Sequence, residues 1–583
     1  MEKQERKKKA IVIGAGVGGT ATAARLACAG FDVDVYEKNE FSGGRCSLIR
    51  HEGYRFDQGP SLLLLPPIFR RLYADLGTTL EQHIDLIKCD PNYLVHFHDG
   101  ETVELSTDRA RLRAEVEKWE GPQGGEGLEG FLQYVTRASY NASRNGGESG
   151  KHAALSYSLV LSKTFTTYLS LLRPSFLLNA INLHPHLPLW NRVSRYFKTE
   201  RMRRAFSFGS MYLGSSPFEA PGTYSLLQWT ETVEGIWYPR GGVHQVVQSL
   251  INIVTSHSAH FHFSHPVSHV RVNASGKANG VVFCDGTEAS ADVVVVNADL
   301  AWAHGNLFRD SKGGGRRDPR LARRLEGKPH SCSSISFYWA MDRQFPELQA
   351  HNIFLAEEYK ESFDDIFRRS SMPREPSFYV NVPSRIDPSA APEGKDSLTI
   401  LVPIGHMLLE DHRTPEEWTG LVAKARAQVM EVMEGRLEMQ KGELDKAIVW
   451  EDVNTPVTWK EKFNLTHGSI LGISHDFFNV LAFRHQARHP SVKNAYFVGA
   501  SVHPGTGVPI AIAGSRLCAE AVMNDMNIPL PASYDPAPVQ PRNKLDVMEP
   551  ARLQDKLEDW AGPILWMVLG ALLALLYAAM RML

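Results

Sequence analysis

Three glycines in the spacing G-x-G-x-x-G could bind an anion near the start of this chain. Gly14, Gly16 and Gly19 follow a run of β-forming residues at 10–13, and a stretch rich in alanine comes after them. This order predicts a buried strand, a tight turn and a helix whose free N–H groups and dipole face an anion. Gly14 permits the turn, Gly16 lets a pyrophosphate approach the backbone, and Gly19 lets helix and strand pack closely. An ordinary βαβ unit without a nucleotide is the alternative.

An acidic residue at the end of a second β-run favours a dinucleotide as the ligand. Residues 31–36 form that run, and Glu37 follows the glycines at a distance of about 20 residues. A carboxylate at this position would accept hydrogen bonds from ribose hydroxyls. Gly44 and Arg45 come next, in Phe-Ser-Gly-Gly-Arg-Cys, and Ser61 ends the stretch Phe-Asp-Gln-Gly-Pro-Ser.

This second Gly-Gly-Arg resembles the flavoprotein superfamily of amine oxidases and carotenoid desaturases. The resemblance implies that Arg45 meets the diphosphate of FAD and that Gly44 and Ser61 line the same cofactor. NAD enzymes generally lack the added arginine, so FAD is favoured over NAD. The resemblance also implies that a backbone amide near Val267 meets the adenine side of FAD, an assignment that rests on position alone.

A second glycine cluster lies near the end of the chain. A β-run at 494–498 is followed by Gly-Ala-Ser-Val-His-Pro-Gly-Thr-Gly-Val-Pro and by a small-residue helix predicted over 510–525. A strand, a glycine turn and a helix N-terminus together predict a second anion site or a site for the flavin ring. A purely structural turn is the alternative. The candidate cofactor-binding residues of this cluster are Gly499, His503, Gly505, Gly507 and Val508.

The stretch 499–509 resembles the signature of bacterial- and fungal-type phytoene desaturases, and the resemblance covers 10–525. The supporting blocks are Ser-Pro-Phe-Glu-Ala-Pro-Gly-Thr-Tyr-Ser at 216–225, Trp-Tyr-Pro-Arg-Gly-Gly at 237–242, Gly-Ser at 468–469 and Phe-Arg at 483–484. Val502 departs from the pattern, because relatives usually carry a hydroxyl residue there. The apolar C-terminal tail is typical of fungal members.

This resemblance implies FAD-dependent desaturation of 15-cis-phytoene, a C40 polyene precursor, in several successive steps to a lycopene-type carotenoid. An allylic carbon would give a hydride to flavin N5 and its neighbour would lose a proton. No catalytic residue is assigned: His503 could touch the substrate or the flavin, or could simply order its turn. Glu231 and Glu234 are candidate acids, although we expect them to be exposed helix carboxylates. The number of steps and the electron acceptor, oxygen or quinone, stay open.

Other proteins of the same fold are the alternatives. A carotenoid isomerase or a C30 desaturase would share these motifs. An amine oxidase should offer an aromatic cage and often a cysteine that tethers the flavin, and neither is evident at 490–510. A prenyl-binding escort protein performs no redox chemistry and tends to lose the FAD constellation, whereas Glu37, Arg45 and the 499–509 loop are all present.

Length and composition indicate a globular chain of several domains, of fold class α/β. At 583 residues the chain exceeds one ordinary core, and 63 basic against 65 acidic residues argue against nucleic acid as a partner. The six cysteines show no zinc spacing, so no metal site is predicted, and a homo-oligomer stays open. A Gly-rich polar loop is expected at 121–130. The predicted domains are a Rossmann-type, GR2-like FAD-binding domain split over 10–75, 240–300 and 490–525, and an α+β substrate domain over 76–239 and 301–489.

The C-terminus predicts a transmembrane anchor at 560–580, preceded by a Pro-rich linker over 526–559. No residue from Trp560 to Met580 is charged, and a helix of this length spans about 30 Å, the thickness of a bilayer core. A buried core helix is the alternative. The apolar stretch 155–190 predicts either core helices or a monotopic surface that dips into lipid. Because the N-terminus does not fit a secretory signal, we expect a membrane-bound enzyme facing the cytosol, at the endoplasmic reticulum if the source is fungal.

Overall fold

Strands from distant parts of the chain form the sheets of this computed structural model, which describes residues 6–141, 187–255, 259–308, 318–408 and 413–534. The strands are β1 (Lys9–Ile13), β2 (Asp32–Tyr36), β3 (Leu48–His51), β4 (Tyr54–Asp57), β5 (Leu86–Lys88), β6 (Tyr93–His96), β7 (Thr102–Leu105), β8 (Trp237–Pro239), β9 (Ala259–His262), β10 (Val267–Val272), β11 (Ala278–Phe283), β12 (Glu288–Ser290), β13 (Val293–Val296), β14 (Ser333–Met341), β15 (His351–Phe354), β16 (Phe378–Asn381), β17 (Ser397–Ile404), β18 (Ile448–Asn454) and β19 (Ala495–Phe497). The α-helices are α1 (Val17–Cys28), α2 (Pro66–Asp75), α3 (Arg109–Glu120), α4 (Pro122–Asn141), α5 (Leu189–Val193), α6 (Glu200–Ala205), α7 (Leu226–Trp229), α8 (Gln245–Thr255), α9 (Leu300–Asn306), α10 (Pro319–Glu326), α11 (Tyr359–Phe367), α12 (Pro415–Arg436), α13 (Glu443–Ala447), α14 (Pro456–Phe463) and α15 (Val508–Asp525).

A parallel sheet in the order β19-β13-β1-β2-β9 carries the first glycine turn. Its central pair joins β1 to β13, whose four valines are fully buried, as suits a strand covered on both faces. The sheet contains strands from each of the three segments predicted to form the FAD-binding domain. The domain boundaries themselves stay a prediction.

Helices α1, α2, α8 and α15 pack together beside this sheet in one apolar cluster. Within that cluster the side chain of Arg25 is 2% exposed. Its Nη2 lies 3.0 Å from Oδ2 of Asp75 on α2, and its Nη1 donates a 2.6 Å hydrogen bond to Ser515 Oγ on α15. One guanidinium therefore connects three helices.

A second sheet, in the order β18-β14-β17-β16-β15-β6-β7, is built from the two segments predicted to form the substrate domain. Its pairs are antiparallel except for β15 and β6, which run parallel. All nine residues of β14 are buried. Helix α12 covers one face, where Trp418, Val429 and Met433 join the apolar cluster of the strands.

Helix α4 occupies the positions where we expected a Gly-rich polar loop at 121–130, so that expectation is wrong. Apolar side chains at helical spacing are buried there, namely Leu128, Phe131, Leu132 and Val135. A Cβ at Gly127 would lie 2.3 Å from the backbone oxygen of Tyr196. The glycine thus allows close packing, and burial offsets its cost of about 1 kcal/mol within a helix.

No helix among the described residues is both long enough and apolar enough to cross a bilayer. The predicted anchor at 560–580 lies outside the described residues, as do 535–559 of the linker and 155–186 of the apolar stretch. These membrane-related expectations therefore stay predictions.

We expect Asp75→Asn to lower the free energy of unfolding by about 3–5 kcal/mol, because it leaves the Arg25 guanidinium buried without its counter-charge. Thermal and denaturant unfolding of the purified protein measure this loss. The control is Glu81→Gln, which removes the exposed ion pair with Arg70 and should cost about 1 kcal/mol or less. Equal, small effects of the two variants would contradict the role given to the buried pair.

Candidate active site

The first glycine turn leaves no room for side chains. Gly14 has a φ of +99°, and a Cβ there would lie 2.5 Å from the backbone oxygen of Asn297. A Cβ at Gly19 would lie 2.2 Å from the Gly14 carbonyl oxygen. Asn297 Oδ1 accepts a 2.6 Å hydrogen bond from the Gly19 N–H. Asn297 was not among the residues predicted from the sequence, although its position directly after β13, at the carboxyl edge of a parallel sheet, could have identified it.

The N-terminus of α1 offers N–H groups to an anion. Gly16, the residue before this helix, makes no side-chain cap, and among the first-turn N–H groups that of Gly19 is the one bonded to Asn297. Glu37 is 7% exposed and lies beside this turn, where its Oε2 accepts a 2.9 Å hydrogen bond from the Ala15 N–H. Its Oε1 accepts from the backbone N–H of Asn39 at 2.9 Å and from its side-chain amide at 3.0 Å. These bonds fix the carboxylate and leave one lone pair of Oε2 for a ribose hydroxyl.

The second glycine pair lies directly against the first turn. The Gly43 N–H donates a 2.8 Å hydrogen bond to the Ala15 carbonyl oxygen, and a Cβ at Gly44 would lie 3.6 Å from Gly16 Cα. Arg45 follows in a short 3-10 turn. The geometry therefore brings the arginine to the N-terminal end of α1.

Arg45 and Asp299 are half-buried polar residues of the predicted cofactor site. Burial lowers the pKa of the Arg45 guanidinium and raises the pKa of the Asp299 carboxyl, and the charge of each group opposes the shift of the other. Arg45 Nη1 donates to the Ile470 carbonyl oxygen, so the other N–H groups of the guanidinium are not used by that bond. Arg45 follows Gly44, which lies against the residue before α1, and a guanidinium with spare donors fits the diphosphate of a dinucleotide such as FAD.

The C-terminal glycine loop is held by a neutral histidine. His475 Nε2 accepts a 3.1 Å hydrogen bond from the Thr506 N–H, and a Cβ at Gly505 would lie 2.6 Å from the same nitrogen. Burial lowers the pKa of His475 well below 6.5, so the ring stays an acceptor. Gly507, with a φ of +102°, precedes α15, whose first residue is the half-buried Val508.

The preceding half of the loop is fixed by Arg484 and Asn297. Arg484 Nη2 donates a 2.6 Å hydrogen bond to the Ala500 carbonyl oxygen, while a Cβ at Gly499 would lie 3.4 Å from Asn297 Nδ2. His503 is 3% exposed, and its backbone N–H donates a 2.8 Å hydrogen bond to the His485 carbonyl oxygen. The structure therefore brings Gly499 close to the first glycine turn, since both contact the same asparagine.

Two further predicted residues lie at different ends of the site. The Ser61 hydroxyl is buried, 2.7 Å from the Tyr379 hydroxyl in the second sheet. Val267 begins β10, two residues after His265, whose N–H donates a 2.9 Å hydrogen bond to the Glu37 carbonyl oxygen. Direct contact of these residues with a cofactor stays a prediction. Val502, 3% exposed, packs in an apolar cluster, where no hydroxyl is needed.

Glu231 and Glu234 are not exposed helix carboxylates, contrary to our expectation. They lie in a π-helical turn, Thr230–Glu234, that directly follows α7. Glu231 is 1% exposed and Glu234 is half-buried. Burial raises the pKa of the two carboxyls, to about 8 and about 7 respectively. The sequence Thr-Glu-Thr-Val-Glu gave no sign of this burial, because it lacks an apolar stripe.

We expect Gly19→Ala to lose bound flavin, because the new methyl group would force α1 away from the Gly14 carbonyl oxygen. Visible flavin absorbance per mole of purified protein measures the loss. The control is Gly420→Ala on the exposed face of α12, where a Cβ meets nothing within 4 Å, and it should retain full flavin. A flavin-replete Gly19→Ala protein would refute the close contact at this turn.

Comparisons with known proteins agree with this geometry. The family model for flavin containing amine oxidoreductases matches residues 17–523. The chain is 48% identical to a phytoene desaturase of Fusarium fujikuroi and 45% identical to one of Cercospora nicotianae, in each case over 98% of both chains. A solved structure of cyclohexylamine oxidase from Brevibacterium oxydans has a TM-score of 0.54 at 13% identity, covering 90% of this chain and 100% of that chain.

The likeness to the oxidase shows the fold alone, and it confirms the predicted α/β FAD-binding architecture. The near full-length relatives at 45–48% identity do not favour the isomerase, amine oxidase or escort alternatives. The family match also confirms the choice of a flavin as the cofactor. The chain therefore belongs to the flavin containing amine oxidoreductases and, within them, to the phytoene desaturases.

Proposed function

We propose that this chain is an FAD-dependent desaturase that converts 15-cis-phytoene in several successive steps to a lycopene-type carotenoid. The observation that carries the proposal is 48% identity over 98% of the chain to a phytoene desaturase. The site geometry supports it, because the first glycine turn, Glu37 and Gly44 lie together and Asn297 connects them to the C-terminal glycine loop.

Each part of the site has a defined task in this reaction. The first turn of α1 and Arg45 would hold the diphosphate of FAD, Glu37 would hold its ribose, and the loop 499–508 would line the site of its ring. The chemistry that FAD supplies when bound is acceptance of a hydride at N5. The protein's own contribution is to bind and orient the polyene and to exclude water from the reacting carbons.

Half-buried apolar residues beside the second sheet suit a hydrocarbon substrate. Leu62, Tyr212 and Ile510 are half-buried and pack against one apolar cluster of the second sheet. Leu62 directly follows the predicted cofactor residue Ser61, and Ile510 lies in the first turn of α15. This cluster therefore adjoins both the Ser61 segment and the helix that follows the C-terminal glycine loop.

Expression in a host engineered to make phytoene, followed by pigment chromatography, tests the proposal. We expect coloured polyenes with wild type and with Gly420→Ala, and unchanged phytoene with Gly19→Ala, because only the last variant disturbs the diphosphate turn. Unchanged phytoene with a flavin-replete wild-type protein would refute the substrate. Isomerised phytoene without new double bonds would favour an isomerase. Assays of the purified enzyme in air, and without air but with a quinone, identify the electron acceptor.

We further propose that 560–580 anchors the enzyme in a membrane with the catalytic part facing the cytosol, at the endoplasmic reticulum in a fungal cell. The support is the uncharged run from Trp560 to Met580, whose helical length of about 30 Å matches a bilayer core. A membrane location also suits a substrate that dissolves in lipid rather than in water.

We expect the double substitution Leu569→Arg and Leu572→Arg to release the full-length chain from membranes, because each arginine at the helix centre opposes insertion by about 2.5–3.5 kcal/mol. Fractionation after an alkaline wash measures the release. The matched control is the pair Leu569→Ala and Leu572→Ala, which keeps the run uncharged and should stay in the membrane pellet. Retention of the arginine variant would refute the anchor.

A further inference from the structure

A carboxylic acid is buried in the apolar part of the second sheet. Glu231 is 1% exposed, in the π-helical turn that follows α7. Its Oε1 accepts a hydrogen bond from the Tyr93 hydroxyl at 3.3 Å. Its Oε2 has no hydrogen-bond partner among the residues that the structure describes. Burying an ionisable group with one oxygen unpaired is costly, so its retention requires an explanation.

Further polar side-chain atoms without a hydrogen-bond partner lie in α7, in the segment 208–213 and in a residue that contacts this turn. Within the described part of the chain they include both polar atoms of Gln228, the hydroxyls of Tyr212 and Ser210, and Oδ1 of Asn92, whose Nδ2 donates a 2.6 Å hydrogen bond to the Glu231 carbonyl oxygen. A Cβ at Gly209 would lie 2.9 Å from Gln228 Nε2, which brings the segment 208–213 against α7. Tyr212 stacks on Tyr93 with 6.1 Å between ring centroids. A hydrocarbon cannot satisfy these atoms, whereas water molecules can.

Tyr212 links this polar group to the neighbourhood of the predicted cofactor site. The residue is half-buried, its hydroxyl oxygen is inaccessible, and the charge of Glu231 acts on that hydroxyl. Tyr212 packs against the apolar cluster that also carries Leu62 and Ile510, which follow the predicted cofactor residues Ser61 and Val508 in sequence.

We propose that Glu231 takes up the proton that the substrate loses on desaturation, relayed by the Tyr212 hydroxyl and by water held at Gln228. This inference rests on the proposed function. With FAD bound as the oxidant, one substrate C–H bond would give up its hydride to that cofactor. The neighbouring C–H bond breaks heterolytically, its electron pair forms the new C=C bond, and its proton passes along the relay. A new O–H bond forms at Glu231 Oε2, and the relay hydroxyl regains the proton that it passed on.

The charges around Glu231 suit this task. Burial raises its pKa to about 8, and the Tyr93 hydrogen bond acts in the opposite direction. Tyr93 and Tyr212, which face it from β6 and from 208–213, stay protonated because burial raises their pKa well above 10. His351, packed on Tyr93 from β15, stays neutral because burial lowers its pKa to about 3. A base works best with a pKa near the operating pH, and Glu231 meets that condition.

The first test compares Glu231→Gln with Glu234→Gln, a matched change in the same π-helical turn. For the purified flavoprotein with phytoene in liposomes, we expect kcat of wild type to rise as pH increases through about 8, because the carboxylate is the accepting form. Glu231→Gln should lower kcat about 100-fold and abolish this rise, which is the limb of the pH–kcat profile near pH 8. Glu234→Gln should keep both the rate and the limb.

Tyr93→Phe provides a second variant that keeps the acid. Removing the phenol hydroxyl takes away a bond that favours the carboxylate, so the pKa of Glu231 rises further and the kcat limb moves to higher pH. A purely structural role for Glu231 would not move this limb. Should Glu231→Gln fail to fold, this shift decides the matter.

Two readouts need no turnover. The infrared carbonyl band of a protonated carboxylic acid should titrate near pH 8 in wild type and be missing in Glu231→Gln. Between about pH 4.3 and pH 8 the folded protein holds a proton that the unfolded chain has released. The melting temperature of wild type should therefore fall, relative to Glu231→Gln, as pH rises through this window.

The outcomes separate the two proposals. Wild-type rates and an unchanged pH limb in Glu231→Gln would overturn the proton role and leave desaturation intact. A wild-type enzyme that leaves phytoene unchanged would overturn the proposed function, while the infrared band and the melting temperatures still report the buried acid. Loss of the limb in Glu231→Gln together with its shift in Tyr93→Phe supports the relay.

Discussion

The side-chain amide of Asn297 joins three parts of the chain that are far apart in sequence. Its Oδ1 accepts from the Gly19 N–H, and its Nδ2 lies 3.5 Å from the Val498 carbonyl oxygen. Its backbone oxygen packs where a side chain at Gly14 would lie. One short polar residue thus fixes both glycine loops against the end of β13. Gly14 and Gly19 are required beside it because there is no space for a Cβ, whereas Gly499 only touches it and is favoured by its φ of +132°.

Polar groups of different character lie where the cofactor and the polyene are expected. Arg45 and Asp299 supply charge near the first glycine turn, where an anionic diphosphate would lie. Beside the second sheet, Ser61, Tyr379 and His351 form a neutral hydrogen-bonded chain, since burial keeps the imidazole uncharged. Neutral networks of this kind tolerate a low dielectric, whereas an unpaired charge does not. A buried acid that can exist protonated is therefore compatible with this apolar part of the molecule.

Local signals in the sequence predicted the parallel sheet, both glycine turns and the family, because strand, turn and helix follow one another within about 30 residues. The long-range contacts of Asn297 could not be predicted from the sequence, since polar residues follow strands in many loops that bind nothing. Burial of Glu231 was missed because it depends on packing from β6 and from 208–213. Helix α4 was missed for another reason. Glycine usually argues against a helix, and only the close approach of Tyr196 shows why it is tolerated here.

The position of β19 at the edge of the parallel sheet has a consequence for synthesis on the ribosome. Strand β13 pairs with β19 from Val294 to Val296, yet about 200 residues separate the two strands in sequence. Until residues 495–497 emerge, β13 presents an open, valine-rich edge of the kind that pairs with other chains. The loop 499–508 emerges later still. The cofactor can therefore bind only near the end of synthesis. An interrupted translation product would be prone to aggregate rather than to bind flavin.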